Sequence, residues 1–340
     1  MLKRNTFILI LLLLSIGNGC INKEKKTRTG KNEKIQVTDF RGLTINVEKP
    51  VERIVCLIES ALSGIYMLGA ENKIVGISTN VYDDNVRNQY ACLDDRIKNK
   101  TIKAPGNWDF VNIESVVALK PDLVIMWASQ KESILAIESK GIQVYAVMLK
   151  STNDIYKEIG DLGRLTGKEK RADSLIQYTK DEVCKIIDNT KKIIKEKKKV
   201  YFMWSQGPLE TSGVNSTVNE LITMAGATNI CTSPDEHLVV NFEKIIDWNP
   251  DIIVMWYNAN KDPGDIMQLS AWRKIKAIKE KSVFELPSVF FCDLWTLKFQ
   301  YAIKMLTAWC YPEEFKDHNL EKEKQQMLTK LYGNKGEKIK

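Results

Sequence analysis

The chain has 340 residues, 44% hydrophobic content and a formal net charge of +7, which suits up to two globular domains with well-packed cores. Only two histidines are present, His237 and His318. The sequence therefore argues strongly against a zinc or manganese site built mainly from histidine. Much of the positive charge falls in the polar residues 22–34, so the charge does not indicate a nucleic-acid site.

The first residues have the layout of a secretory signal peptide, predicted over residues 1–19. Lys3 and Arg4 precede a ten-residue apolar run that is too short to span a bilayer comfortably, and small residues follow. Cys20 comes next, like the cysteine that is lipidated in bacterial lipoproteins. Gly19 fits that pattern, whereas Gly17 departs from its usual Leu. The alternative is a plain N-terminal anchor in which the cysteine is incidental.

Residues 20–34 are predicted to form a flexible tether between the membrane and the globular part. They are polar and charged, without apolar periodicity. A basic tether suits an anionic membrane surface. Six further cysteines are scattered without a C-x-x-C motif, and most are interpreted as small buried hydrophobic residues; no disulfide pairing follows from the sequence.

Residues 35–165 predict a first α/β lobe. Residues 35–47 alternate around a glycine and predict a β-hairpin. A buried strand over 53–58, a helix over about 61–68 and a strand over 74–78 then form a βαβ unit. Residues 81–109 are predicted to be loop-rich.

A 17-residue segment occurs twice in this chain, and the two copies are 129 residues apart without a gap. The copies are VNIESVVALKPDLVIMW at 111–127 and VNFEKIIDWNPDIIVMW at 240–256, and seven of the 17 positions are identical. A repeat of this length predicts two copies of one structural unit. The alternative is that common helix–turn–strand patterning was simply reused.

Each copy predicts a short helix, a turn and a buried strand. Asn112 and Asn241 are suitable N-cap residues, and Glu114 and Glu243 follow in the first turn, where a carboxylate suits the helix dipole. A Pro-Asp pair ends the helix. The apolar run that follows is typical of a strand buried on both faces of a parallel sheet, and a tryptophan ends it at the edge where open α/β sheets bind ligands.

Apolar residues recur at three- and four-residue spacing from Lys168 to about Lys197, which predicts a helix joining two lobes over residues 166–198. Residues 199–335 repeat the strand–helix pattern and predict a second lobe with a final helix. Residues 336–340 are a predicted disordered tail, and the disorder is expected to begin near Tyr332.

The whole pattern resembles the substrate-binding component of the iron-complex and vitamin B12 class of ABC importers. The stretches that carry the resemblance are RIVCLIES (53–60), NIESVVALKPDLVI (112–125), LETSGVNSTVNELITMAGATNI (209–230) and YPEEF (311–315). It covers about residues 35–335. It implies two Rossmann-like α/β lobes joined by one long helix, with a ligand cleft between them, in an extracytoplasmic monomer anchored to the cell membrane.

The resemblance also implies a partner. In this family an acidic residue on each lobe docks with arginines of two permease subunits, and Glu114 and Glu243 fall on those positions. The ATPase and the permease are expected on separate chains, because this chain has no nucleotide-binding motif. The alternative for both glutamates is that they only favour their helix N-termini.

The ligand is expected between the lobes, at the carboxyl ends of the strands. Many aromatic side chains there suit a bulky ligand with apolar or planar parts, an iron–siderophore first and a corrinoid or haem next. Lys298 lies where many relatives carry a basic residue for anionic groups. The full candidate set is Glu59, Ser60, Trp108, Trp127, Trp204, Gln206, Trp256, Tyr257, Asp293, Trp295 and Lys298.

No chemistry on the ligand is expected, because the chain has no G-x-S-x-G motif, no P-loop and no convincing Cys/His pair. Two rival functions stay open. One is an extracytoplasmic enzyme on the same fold, such as a chelatase, for which Glu59 and Asp293 could serve. The other is a surface receptor that binds the ligand without feeding a permease, which the paired glutamates argue against.

Overall fold

Two parallel β-sheets organise the structure, a computed structural model that describes residues 34–193, 195–258 and 260–339. The expected signal peptide 1–19, Cys20 and nearly all of the tether 20–34 lie outside the described residues. In the part that is described, no helix is both long enough and apolar enough to cross a bilayer.

The first lobe contains a hairpin and a five-stranded sheet. The strands are β1 Ile35–Thr38, β2 Thr44–Val47, β3 Ile54–Cys56, β4 Ile74–Ser78, β5 Lys103–Gly106, β6 Leu123–Trp127 and β7 Gln143–Val147. The helices are α1 Glu59–Met67, α2 Asp84–Tyr90, α3 Asp95–Lys98, α4 Ile113–Ala118 and α5 Lys131–Glu138. β1 and β2 pair antiparallel, as the sequence predicts, and the sheet is parallel with the order β5-β4-β3-β6-β7.

The segment 81–109, expected to be loop-rich, is more regular than predicted. It holds α2, α3 and the edge strand β5. The residues of β5, K-A-P-G, include neither the β-branched nor the aromatic side chains by which strands are recognised, so tertiary pairing with β4 decides its conformation.

Two helices connect the lobes, α6 Thr152–Thr166 and α7 Glu169–Thr190. α7 begins where the periodicity from Lys168 predicts and ends at Thr190, earlier than the expected Lys197. Gly167, in the left-handed region with φ 71°, ends α6 and turns the chain, so that the helices form a hairpin. α7 has 22 residues, or about 33 Å of helix, and stops before a lysine-rich run whose like charges oppose helix formation.

The second lobe is built on a four-stranded sheet. Its strands are β8 Lys199–Met203, β9 Glu210–Thr211, β10 Thr228–Asn229, β11 Leu238–Val239, β12 Ile252–Met255 and β13 Val283–Glu285. Its helices are α8 Thr217–Met224, α9 Phe242–Trp248, α10 Pro263–Met267, α11 Lys276–Lys279, α12 Phe299–Cys310 and α13 Leu320–Tyr332. The parallel sheet has the order β10-β8-β12-β13, and β9 and β11 form a separate antiparallel ribbon.

The two copies of the repeat occupy equivalent places. Each forms a helix and the strand that pairs with the first strand of its parallel sheet, because β6 pairs with β3 and β12 pairs with β8. The aspartate of each Pro-Asp turn holds this neighbour. Asp122 accepts hydrogen bonds from Glu52 N (2.8 Å) and Arg53 N (2.9 Å), and Asp251 accepts one from Lys199 N (2.8 Å). The aspartate is therefore the same in both copies for a structural reason, since in each copy it binds the backbone that leads into the neighbouring strand.

Both faces of each sheet are buried, as the continuous apolar runs predict. Alternate strand residues face one large core, shared by both lobes, that also contains side chains of α1, α6, α7, α12 and α13. The intervening residues face a smaller cluster under α4 and α5 in the first lobe and another under α9–α11 in the second. One core shared by both lobes ties them together.

The C-terminal residues do not form the disordered tail that the sequence suggests. A 3-10 helix over Gly333–Lys338 follows α13, and Ile339 is buried. Lys335 forms an ion pair with Glu71 (2.5 Å), and the Tyr332 hydroxyl lies 2.7 Å from the Ser63 hydroxyl, both in the first lobe. The chain end therefore packs back across the molecule. These contacts could not be inferred from a Lys- and Gly-rich sequence.

The six cysteines of the described residues are free. Cys56, Cys231, Cys292 and Cys310 are buried, as interpreted from the sequence. Two cysteines depart from this interpretation: Cys184 is exposed on the polar side of α7, and Cys92 is exposed too.

Candidate functional site

Three of the tryptophans predicted to bind the ligand form one cluster with His237, which we call the aromatic wall. Trp204 and Trp295 stack with ring centroids 5.9 Å apart and an interplanar angle of 2°. Trp256 lies 5.5 Å from Trp204 and 5.6 Å from Trp295. The His237 ring stacks on Trp204 at 5.6 Å. Trp204 and Trp256 are buried, so Trp295 and His237 are the rings of the cluster that a flat or apolar ligand could contact.

The parallel sheet of the second lobe brings these rings together. Trp204 follows β8 and Trp256 follows β12, and the two strands are neighbours, so both tryptophans lie at the same carboxyl edge. Trp256 N donates to Met203 O (2.8 Å), and the Trp204 indole donates to Ser212 Oγ (2.9 Å). These bonds fix the orientation of the wall.

His237 is not among the site residues predicted from the sequence. It precedes β11, which pairs with β9, and its Nε2 lies 2.7 Å from Glu210 Oε2. The β9–β11 ribbon has only two residues in each strand, so no periodicity in the sequence could have predicted that His237 would reach Trp204.

The other predicted aromatic residues lie apart from the wall. Trp127 ends β6 and is half-buried, and Trp108 is 63% exposed on the loop after β5. Among the described aromatic pairs, none joins either residue to the wall. Gln206 is exposed, and half-buried Tyr257 lines a cavity of about 380 Å³ between α2 and the loop Ser288–Phe291.

Direct contacts join the two lobes beside this cavity. Gln89 Nε2 donates to Ser288 Oγ (2.9 Å), and the ring of Tyr90 packs edge-on against that of Phe290 at 5.3 Å. The Tyr90 hydroxyl also donates to the carbonyl of Glu59 (3.2 Å). The end of β3 therefore faces the loop that follows β13, as a cleft between the lobes requires.

Buried carboxyl groups gather where the lobes meet. Burial, with the charge of Asp293 adding to it and that of Lys298 opposing it, raises the pKa of Glu59, at the start of α1, to about 7. Burial likewise raises the pKa of Asp293 and brings that of Glu158 on α6 to about 8. Glu59, Glu158 and Asp293 with Lys298 are called the buried acidic cluster below.

Lys298 differs from the expectation that its ammonium faces an anionic ligand group. The residue is 1% exposed, and Nζ donates to Phe290 O (2.7 Å) and Val289 O (3.3 Å). A lysine can be buried here because these carbonyls and the neighbouring carboxyl groups compensate its charge. Ser60 is also buried, and its hydroxyl has no hydrogen-bond partner within the described residues.

The two glutamates of the repeat lie on exposed surface in both lobes. Glu114 is in the first turn of α4 and Glu243 in the first turn of α9. The N-caps form as predicted, because Asn112 Oδ1 accepts from Ser115 N and Asn241 Oδ1 from Lys244 N, each at 2.9 Å. Within the described residues, no group of three or more His, Cys, Asp or Glu side chains is arranged to hold a metal ion.

A family model described as periplasmic binding protein matches residues 54–290. The chain belongs to this family. The match confirms the resemblance seen in the sequence and the two-lobed fold, and it makes this chain an extracytoplasmic binding protein.

Among the relatives is an ABC transporter substrate-binding lipoprotein of Bacillus subtilis, YvrC, 28% identical over 90% of this chain and 95% of its own. The molybdate-binding protein MolA of Haemophilus influenzae is 26% identical over 87% and 90% of the two chains. The structure of MolA bound to molybdate superposes with a TM-score of 0.76, covering 87% of this chain and 97% of MolA at 23% identity. The iron(3+)-hydroxamate-binding protein FhuD of Bacillus subtilis is 22% identical over 84% and 89%.

Proposed function

We propose that this protein is the substrate-binding component of an ABC importer that captures a bulky metal complex, an iron–siderophore first and a corrinoid or haem as the alternative. The ABC transporter lipoprotein YvrC supports an importer, and the iron(3+)-hydroxamate-binding protein FhuD supports a siderophore ligand. The ligand would bind between the lobes and be released to a permease without being altered.

The aromatic wall is the observation that carries this proposal. Trp295 is half-buried and His237 is exposed, and both are supported by the buried rings of Trp204 and Trp256 at the carboxyl edge of the second sheet. A tryptophan face gains most from contact with a large, flat or apolar ligand surface. A small oxyanion such as the molybdate of MolA would use little of it.

Intrinsic tryptophan fluorescence tests the ligand. We expect saturable quenching by at least one member of a panel made of a ferric trihydroxamate, cobalamin and haem. Trp309→Phe is a matched control, because Trp309 stacks on Phe284 (4.8 Å) away from the wall and its loss should leave the titration unchanged. A flat response to the whole panel would refute an aromatic binding cleft.

The partner and the anchor complete the proposal. Glu114 and Glu243, exposed on equivalent helices of the two lobes, would meet two permease subunits that work with separate ATPase chains. Cys20 would carry the lipid that holds the protein at the membrane, in keeping with the lipoprotein YvrC. Mass spectrometry of the protein purified from membranes tests whether Cys20 carries a lipid. Cell fractionation tests the anchor itself, since Cys20→Ser should release the chain from the membrane fraction.

A further inference from the structure

Residues 333–339, called the clasp below, connect the two lobes at a point remote in sequence from the α6–α7 hairpin. The 3-10 helix Gly333–Lys338 continues from α13, which packs against α12 of the second lobe. Lys335 of this 3-10 helix pairs with Glu71 of the first lobe (2.5 Å), and Ile339, which follows, is only 3% exposed. The clasp therefore begins on the second lobe and is fixed to the first.

The tip of the clasp lies in the seam between the lobes. Ile339 borders the cavity of about 380 Å³ together with α2 of the first lobe and Ser288 of the second. Gln89 on α2 donates to Ser288 across the same seam (2.9 Å). Tyr257 lines the cavity too, and it directly follows Trp256 of the aromatic wall. Ile339 is therefore buried where the lobes would separate if the cleft opened.

Tyr332, the last residue of α13, anchors the root of the clasp on both lobes. Its hydroxyl lies 2.7 Å from the Ser63 hydroxyl on α1 of the first lobe. Its ring stacks on Phe290 of the second lobe with centroids 6.1 Å apart, and Phe290 in turn packs against Tyr90 on α2. Aromatic contacts thus join the root of the clasp to the same seam that holds its tip.

The clasp follows one course along α13 but is held by few apolar contacts. A Cβ added to Gly336 would lie 2.2 Å from Leu328 O, and Gly336 O accepts a hydrogen bond from Gln325 Nε2 (2.9 Å). In its sequence, GNKGEKI, only Ile339 has an apolar side chain. A short segment with so little apolar burial can detach while the lobes stay folded.

We propose that the clasp holds the two lobes in the arrangement that binds the ligand, and that its detachment lets the cleft open and the ligand leave. Burial of one isoleucine side chain favours attachment by roughly ten- to a hundredfold, and the entropy of ordering the segment opposes it. The attached and detached states are therefore close in free energy. Control of ligand release rests on the proposed function, whereas control of the lobes does not.

Spin labels on the two lobes test the clasp without any ligand. Glu132→Cys on α5 and Asp247→Cys on α9 place the labels at exposed sites, one on each lobe. The other cysteines that could react are replaced by serine, namely Cys20, Cys92 and Cys184. We expect electron–electron resonance to give a narrow distance distribution in the intact chain and a broader, longer one in a chain that ends at Tyr332.

Gly336→Ala tests the clasp in a chain of full length, because its Cβ would collide with the carbonyl of Leu328 and lift the clasp from α13. Gly160→Ala on α6 is the matched control, since its Cβ would lie 3.8 Å from Ile176 Cδ1, an ordinary packing distance. Thermal melts confirm that each variant is folded. Gly336→Ala should broaden the distance distribution as truncation does, and the control should not.

The rate of ligand dissociation tests control of release. The probe is the ferric trihydroxamate, cobalamin or haem that quenches the tryptophan fluorescence. We expect it to leave the truncated chain and the Gly336→Ala variant at least tenfold faster than the intact chain, and the Gly160→Ala control at the original rate.

An unchanged distance distribution in both altered chains would overturn the clasp, even if the ligand left faster. A broader distribution with an unchanged dissociation rate would overturn its control of release. If no member of the panel bound, the proposed function would fail, and the distance distributions would still decide whether the clasp holds the lobes.

Discussion

The two copies of the repeat share a scaffold but end in different surroundings. β6 and β12 have matching sheet neighbours, matching N-caps and matching aspartate contacts. Trp127, at the end of the first copy, is half-buried and makes no aromatic contact with the wall, whereas Trp256, at the end of the second, is packed into it. The first lobe supplies Glu59 and Glu158 instead. The repeat therefore preserves the framework and the outer surface, while the inner edges have diverged into an aromatic and an acidic side.

The exposed first turns of α4 and α9 should dock together on the permease, so substitutions in both helices should give the largest expected loss of uptake. Charge reversal of Glu114 and Glu243 to arginine should abolish ligand uptake by cells, by well over tenfold, because both docking contacts would become repulsive. Each single reversal should leave intermediate uptake. Ligand affinity of the purified double variant should match wild type, since both residues are exposed and lie away from the wall.

Glu132→Arg reverses an exposed carboxylate in the first turn of the neighbouring helix α5 and should leave uptake unchanged. Undiminished uptake by the Glu114/Glu243 double variant would show that these helices do not meet a permease. It would favour a receptor that binds without feeding transport.

Most of the framework could be predicted because it depends on short-range patterns. The apolar runs, the N-cap asparagines and the Pro-Asp turns indicated a doubled α/β unit. The sequence failed where the determinant is a distant contact. Strand β5 forms because it pairs with β4, and the C-terminal residues are ordered because Lys335 and Tyr332 reach the first lobe. Neither contact leaves a local signal.

The protonation of the buried acidic side can be tested on α6, where the Glu158 carboxyl has no hydrogen-bond partner within the described residues and the Asp161 carboxyl has several. Glu158 is fully buried with an unsatisfied oxygen, and burial raises its pKa to about 8. Because the unfolded carboxyl ionises near pH 4.5, the folded state binds the extra proton, and stability should fall as pH rises from about 5 to 8. Glu158→Gln should remove that decline and stabilise the protein at pH 8.5 by on the order of 3 kcal/mol.

Asp161, one turn further along α6, is the contrasting residue. It accepts hydrogen bonds from Tyr145 (2.8 Å) and Lys157 (2.5 Å), and it pairs with Arg164. Asp161→Asn should therefore destabilise the protein at neutral pH. Urea denaturation across this pH range measures both variants, and an unchanged slope in Glu158→Gln would contradict the buried protonated state.

The shared framework can be tested at the repeat aspartates. Asp122→Ala removes an acceptor for two backbone N–H groups and Asp251→Ala an acceptor for one, together with the Lys276 ammonium (2.7 Å). Burial opposes ionisation of Asp251, but these partners outweigh it and lower the pKa. Each substitution should cost about 2 kcal/mol of unfolding free energy. Asp247→Ala, exposed on α9, is the control, and a loss confined to one copy would show that the turns are not equivalent.

The candidate site was predicted less completely than the framework. Trp204, Trp256 and Trp295 were correctly expected to lie together, because adjacent parallel strands carry two of them to one edge. His237 was missed because it depends on a two-residue ribbon. The burial of Lys298 could not be predicted, because the sequence does not show that the carbonyls of Val289 and Phe290 accept hydrogen bonds from its ammonium group.

The smallest expected effects are losses of ligand affinity at the inner edges of the two lobes, and they show which tryptophans contact the ligand. Trp295→Ala should weaken binding of the preferred ligand roughly tenfold, because it removes one parallel face of the stacked wall. Trp127→Ala should weaken it only about twofold, on the same estimate of aromatic contacts applied to a residue outside the wall. Titration calorimetry on both variants, with thermal melts to confirm folding, measures the difference. Equal losses would mean that the ligand lies between tryptophans of both lobes, and the first copy of the repeat would then supply a binding surface of its own.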